Sequence, residues 1–475
     1  MRKVVLIISI CLISVTSFAQ NNLTLYNMEA LPQRLSVNPA LTPDCKFYIG
    51  MPGLSSLDFS FISNTIGLKE INQSFVEKPN GKYKLDLNRL GDFVSNETYI
   101  GIGLNEEWIN FGFRARKSMI TFGITEKVKT RISIPGDVLK LAFQGNGGQN
   151  LGYNFNFNFG LDVLHTREFA LGYSRRFLND KLTLGTRLKY IQGLNVINTN
   201  KNDIVFRTET NDYSYTVAAD IEINSSSAFA NVLDTTQSID YVKALVGSPN
   251  NNGFGIDLGA KLDLTKRISV HASVIDLGVI NWRDDVLNIK SRNPGASFNY
   301  KGIDVNEFLS DSGTSQGFQA LSDTLMEIFA LDSSNNGFKT GLLGEVYLGA
   351  NFQLTKKHNF GVLFYGSYYN KQLYPALTLS YNGEVKRVMS LSLSYTMSRG
   401  NFMNLGTGVV FNFGPEQFYL VSDNLIGAAT GNVKNLPFRF GWNHTFGRKK
   451  YEKEFGLAAK KADQKKRKAK RKSKE

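Results

Sequence analysis

Two cysteines, four histidines, three tryptophans and eleven prolines are few for 475 residues, and each shortage removes a class of explanation. Cys11 lies within the first twenty residues and leaves Cys45 alone in the rest, so no intrachain disulfide can hold the fold. His165, His271, His358 and His444 are scattered along the chain, none with a partner at metal-ligand spacing. Neither a Gly-x-Ser-x-Gly elbow nor a Walker sequence is present. The run Gly145-Asn146-Gly147-Gly148 is followed by a strand pattern rather than a helix, so it reads as a loop and not as a phosphate cradle. No apolar run approaches the ~18 residues of a transmembrane helix. These absences argue against a disulfide scaffold, a metalloenzyme, a nucleotide-binding enzyme and a helical membrane protein.

The net charge of +14 suggests nucleic acid until it is located. From Gly447 to Glu475 there are fourteen Lys or Arg against four Asp or Glu, and Arg2 and Lys3 add two more charges. The body between them is close to neutral, so the basicity belongs to a tail. Arg2 and Lys3 precede the apolar run Val4–Ile13, and Ser17-Phe18-Ala19 forms a small-x-small site before Gln20. That pattern is a secretory signal peptide over residues 1–19, cleaved between Ala19 and Gln20. Ile10 before Cys11 disfavours a lipoprotein site.

What the chain has in quantity is aromatic alternation, with 34 Phe and 20 Tyr. Leu151 to Val163, Phe169 to Phe177 and Leu182 to Tyr190 place apolar residues at every second position, opposite Gly, Asn and charge. A period of two is a strand, and three such runs with short connections are an antiparallel meander. The alternation resumes at Phe254–Leu264, Val346–Leu354, Phe360–Tyr368 and Met389–Met397. Opposite the last of these stand Ser390, Ser392, Ser394, Thr396 and Ser398. A soluble sandwich would put charges on its wet face, whereas a serine ladder suits the hydrated lumen of a barrel. The reading is therefore all-β: an antiparallel up-and-down transmembrane β-barrel of about 14 strands (12 to 18) over residues 98–446, closed because an open apolar sheet would aggregate at its edges. The last strand carries Phe438, Phe440, Trp442 and a terminal Phe446, which resembles the closing signal read by the outer-membrane insertion machinery.

Residues 20–97 form a plug, a cap or a first hairpin, with a turn at Asn38-Pro39-Ala40, short alternations near Phe47–Gly50 and Leu57–Ile62, and a short helix at Leu85–Phe93. Asn202–Ile223 reads as another hairpin. Helical insertions fall at Asp137–Phe143, Ala228–Val246, Val305–Ser310 and Phe318–Leu331, at one rim of the barrel. Residues 447–475 form a basic tail that self-repulsion keeps disordered. Its Lys465, Lys466, Arg467, Lys468, Lys470, Arg471 and Lys472 would meet an anionic periplasmic partner, peptidoglycan or an acidic protein.

Asn38-Pro39-Ala40, Gly145-Asn146, Leu171-Gly172-Tyr173-Ser174-Arg175-Arg176 and the run Lys181–Lys189 carry a resemblance to a family of uncharacterised outer-membrane β-barrels of diderm bacteria, distantly similar to fatty-acid-transporter-type barrels. The resemblance extends to about Phe446 and implies a fold and an outer-membrane location, with periplasmic termini, but no cofactor and no catalytic residue. The functional expectation is a non-enzymatic passage for small or amphipathic solutes. The alternative is a non-conducting docking component tethered by its tail, and a third reading is an outer-rim hydrolase built on Asp203, Glu209, Asp212, Asp284 and Asp285. Nucleic acid is absent from that compartment and is excluded as a partner.

Overall fold

The computed structural model describes residues 22–63, 67–78, 81, 83–86, 89, 93, 97–233, 245–301, 327–369, 372–385, 388–398, 401–425 and 434–448. The signal peptide with its Ala19/Gln20 junction and the tail's Lys465, Lys466, Arg467, Lys468, Lys470, Arg471 and Lys472 lie outside the described residues. Fourteen strands close into a ring. The first, β1, has two arms, Phe47–Gly50 and Ser56–Ser63. It is followed by β2 (Glu97–Ala115), β3 (Ser118–Pro135), β4 (Gly160–Phe177), β5 (Leu182–Thr208), β6 (Asn252–Asp263) and β7 (Ile268–Trp282). The second half is β8 (Glu345–Thr355), β9 (His358–Tyr369), β10 (Gln372–Val385), β11 (Met389–Ser398), β12 (Asn401–Phe413), β13 (Glu416–Ser422) and β14 (Asn435–Phe446). Each pairs antiparallel with its sequence neighbours. Both arms of β1 pair with β14 on one side and β2 on the other, with Phe47 opposite Phe446 and Phe59 opposite Phe438, and this closes the barrel.

The faces are inverted relative to a soluble protein. Outward residues are apolar and open, as with Phe254 at 68%, Leu188 at 57% and Leu171 at 56% exposure. Inward residues are polar and covered: Thr378, Ser392, Ser394 and Thr396 are all buried, while Leu393 and Tyr395 between them face out. Strands of the length of β8 to β11, at about 3.3 Å per residue and a tilt near 40°, cross roughly 25–35 Å, the thickness of a hydrocarbon layer. The outer surface therefore meets lipid, and no described helix is long and apolar enough to cross a membrane. Connections at one rim are two to four residues long, as at 116–117, 178–181, 356–357 and 414–415. Asn179 and Asp180, with φ of 56° and 70°, make one such turn in the left-handed region these side chains tolerate. The long connections, 136–159 and the described parts of 209–251 and 283–344 among them, stand at the opposite rim.

Four differences from the sequence reading follow from pairing rather than periodicity. The barrel begins at Phe47, not near residue 98, because the two short alternations flanking 51–55 line up on the same pair of neighbours. The expected hairpin at Asn202–Ile223 is present, but its first arm is the end of a continuous 27-residue β5, which leaves β6 after Gln192 and pairs instead with Tyr215–Ser226 above the rim. Leu331 opens the strand Leu331–Ser334, which pairs with Val286–Ser291, so the end of the expected helix is extended. The helix Val305–Ser310 and the rest of Phe318–Leu331 up to residue 326 lie outside the described residues. Tyr83–Leu85 pairs with Phe75–Glu77, so Leu85 is a strand end rather than a helix start, while most of the expected helix up to Phe93 is outside the described residues. The helix Gly136–Gln144 occupies the expected place.

Candidate functional site

The lumen is occupied from the short-turn end by residues 22–46, an irregular segment with one helical turn at Leu23–Tyr26 and a 3-10 turn at Pro32–Ser36. Leu23, Tyr26, Val37 and Leu41 pack on Ile275, Tyr347, Leu363 and Tyr365 of the wall. Leu25, Met28 and Leu31 pack on Val410, Tyr419 and Val421. A barrel interior is polar, so this segment supplies apolar patches only where the wall offers matching ones and hydrogen bonds elsewhere. The backbone N–H groups of Leu23 and Thr24 donate to the Asp423 carboxylate at 3.2 and 2.7 Å. Gln33 and Asn443 exchange amide bonds at 2.8 and 3.0 Å. Ser273 donates to the Val37 carbonyl at 2.7 Å. Cys45 is buried here, and burial pushes its thiol up to about 12, which removes it as a nucleophile at neutral pH.

The apex of this plug, Asn38-Pro39-Ala40, rests on two facing glycines. Gly185 and Gly259 are paired across β5 and β6, and a Cβ on them would come within 2.3 Å of the Pro39 carbonyl oxygen and 2.2 Å of the Asn38 Oδ1. Only glycine admits the plug backbone that close. Gly259→Leu is accordingly expected to push the apex off the wall and raise ion conductance in planar bilayers while the detergent-resistant compact gel band persists. Unchanged conductance would show that the contact does not hold the plug.

Between the plug and the long-loop rim lies a cavity of about 270 Å³. Ile62, Leu164, Val196, Ile275 and Leu343 line part of it, and a belt of charge lines the rest. Alternation turns Lys127, Lys129 and Arg131 of β3 into the lumen together. Lys127 meets Glu168 at 2.7 Å and Asp276 at 3.5 Å. Lys189, with its side chain 1% exposed, meets Asp257 at 2.7 Å and Glu168 at 3.7 Å and also binds Asp276. Arg187 approaches Asp257 at 3.6 Å. Asp276 reaches this cluster because its φ of 58° makes a bulge in β7, where its N–H donates to Asp257 at 2.8 Å and the pairing with β6 shifts. Arg131 lies 4.8 Å over the Tyr99 ring.

The residues singled out from sequence fall elsewhere. Phe438, Phe440 and Phe446 face outward on β14, and Trp442 stacks on Phe418 at 5.1 Å. Asp203 lies near the end of β5 and Glu209 and Asp212 in the turn that follows it, near Lys201, Arg207 and Ser214 respectively. Asp284 accepts from Ser248 and Asn250 near the base of the long loops. The structure does not bring these acids into one set, and among the described residues no three His, Cys, Asp or Glu side chains gather as metal ligands. The luminal charge belt was missed. Its signal was present, in charges at the lumen-facing parity of five successive segments, but which acid meets which base depends on register.

No curated protein matches the sequence. Among solved structures, the chain is similar to the Ralstonia pickettii toluene transporter TbuX, at 10% identity over 91% of this chain and 96% of that one, with a TM-score of 0.38. It is also similar to the P. putida toluene transporter TodX, at 9% identity over 91% and 96%, with a TM-score of 0.40. A third is a Pseudomonas aeruginosa FadL homologue, at 10% identity over 91% and 99%, with a TM-score of 0.37. Identities of this size transfer neither a cargo nor a residue. The sequence itself matches one family over most of the barrel, from the plug apex at Pro39 to Asp423, the acid that holds the plug's first turn, and with residues 39–423 in that match the chain belongs to the family of unknown function DUF5723.

Proposed function

We propose that the chain is a non-enzymatic outer-membrane passage for small amphipathic solutes, closed at rest by its own N-terminal segment. The observation that carries this reading is the luminal cavity, which has an apolar part and a charged part and ends on a plug seated on the wall by apolar packing and hydrogen bonds. Such a chamber suits a solute with a greasy body and a polar end. The solute enters from the long-loop rim, which faces outward, and leaves past Val37–Ala40 at the short-turn rim, which faces the periplasm. Proteoliposomes holding the intact chain should swell faster in isotonic hexyl glucoside than empty liposomes. Equal rates would overturn the reading and favour a non-conducting docking protein.

The tail supports a second role beside the first. Arg448 is anchored in the short-turn rim, donating to the Ala30 carbonyl at 2.8 Å and to Asn412 Oδ1 at 2.5 Å, so the chain leaves the barrel there. In our reading Lys465 to Lys472 engages peptidoglycan carboxylates or an acidic periplasmic protein. Deleting 450–475 should release the barrel from sedimented cell wall and leave swelling unchanged; retention in the pellet would sink the tether.

A further inference from the structure

A second cavity, of about 230 Å³, lies at the short-turn rim on the far side of the plug. Its walls are Arg34, Ala40, Leu41 and Thr42 of the plug and Arg176, Thr183 and Lys261 of the barrel. Four acids also border it, and three are engaged. Asp263 pairs with Lys261 at 3.2 Å, Asp180 with Lys117 at 3.3 Å, and Glu29 accepts from Asn359 at 3.1 Å. Asp44 stands at the exposed margin.

Arg34 is different from all of these. The residue is 4% exposed, and among the described residues its guanidinium donates no hydrogen bond and forms no ion pair, with Nε fully enclosed and unpartnered. Burial pulls its pKa below the ordinary arginine value, opposed by Glu29 and Asp44 acting from beyond contact range. A guanidinium presents five donors in a rigid plane, and here the enclosed Nε–H has no acceptor at all, which is costly. Folds that keep such a group either fill the space with water or reserve it for a ligand whose acceptors match the fork. A planar monovalent carboxylate matches it bidentately. A phosphate dianion matches it less well here, because Glu29 and Asp44 would repel twice the charge.

We propose that this chamber is a carboxylate-binding site, with Arg34 as the residue that receives the anion. The site stands on its own geometry and does not require that solutes cross the barrel, so equilibrium binding rather than transport tests it. Titration calorimetry of the full chain in detergent, with sodium benzoate as the probe and sodium chloride at equal ionic strength as the control, should show one saturable site. Arg34→Gln should weaken it at least about tenfold, and Arg34→Lys should fall between, because an ammonium keeps the charge without the fork. Thr183→Phe fills the chamber from β5 and leaves the guanidinium in place, so it should block binding while the compact gel band persists. Unchanged benzoate affinity in Arg34→Gln or in Thr183→Phe overturns the proposal, as does a wild-type chain that takes up no benzoate, which would mean that the chamber holds water alone. Loss of hexyl glucoside swelling with benzoate binding retained would strike the passage reading and leave this one standing.

Discussion

Deleting residues 22–44 is expected to open the barrel, raising steady ionic current in planar bilayers at least about tenfold above that of the intact chain. The reason is how firmly the plug sits. Leu23, Leu25, Tyr26 and Leu31 are each fully covered against the wall. Exposing four such side chains costs roughly 6–12 kcal/mol. At about 1.4 kcal/mol per factor of ten, fewer than roughly one barrel in ten thousand has expelled the segment at any moment. On the passage reading, the intact chain would then pass solutes only by local displacement of the apex, and ions scarcely at all. Once the segment is gone, the wall it leaves behind carries Ser380, Ser394, Gln417 and Asn443, all buried beneath it, which water will wet. A shortened chain that still migrates as a compact unheated band yet carries no current would mean that the long loops, not the plug, close the lumen.

Lys189→Met should be the most damaging single substitution in the wall, lowering stability by about 3–5 kcal/mol. Its ammonium is the only group that touches Glu168, Asp257 and Asp276 together in the described structure. Without it, three enclosed carboxylates share Lys127 and Arg187, and one charge is left without compensation. Lys117→Met is the control: that side chain is 56% exposed and pairs with Asp180 at 3.3 Å, a surface interaction worth roughly 0–1 kcal/mol. Urea midpoints in detergent micelles should separate the two clearly. Adding Asp257→Asn to Lys189→Met should recover part of the loss, because it removes the stranded charge. If the double variant is no better than the single one, shape rather than charge accounts for the damage.

Much of the barrel was legible in sequence because its rule is local. The Met389–Ser398 alternation alone says that Leu393 meets lipid and Ser392 meets the lumen, and both do. The first strand was hidden because Phe47–Gly50 and Ser56–Ser63 are each too short to read as a crossing, and only their shared pairing with β2 and with β14, nearly 400 residues away, joins them. The long β5 was hidden because Gly193, Asn195 and the asparagines from 198 to 202 interrupt its apolar series where the strand rises past the membrane into water. Arg187 and Lys189 looked like an ordinary wet face, since only pairing reveals the acids around them. Arg34 had no signal at all, because it sits in a segment without periodicity and its importance lies in what fails to touch it.

The bond from the start of the plug to Asp423 spans 399 or 400 positions, and the seam from Phe47 to Phe446 spans nearly as many. During biogenesis neither can form until nearly the whole chain has been made and exported. The leading segment has to wait, unhoused, while thirteen strands are laid down, and must be inside before the wall zips shut behind it. Sealing the cylinder and corking it thus belong to one terminal event of maturation.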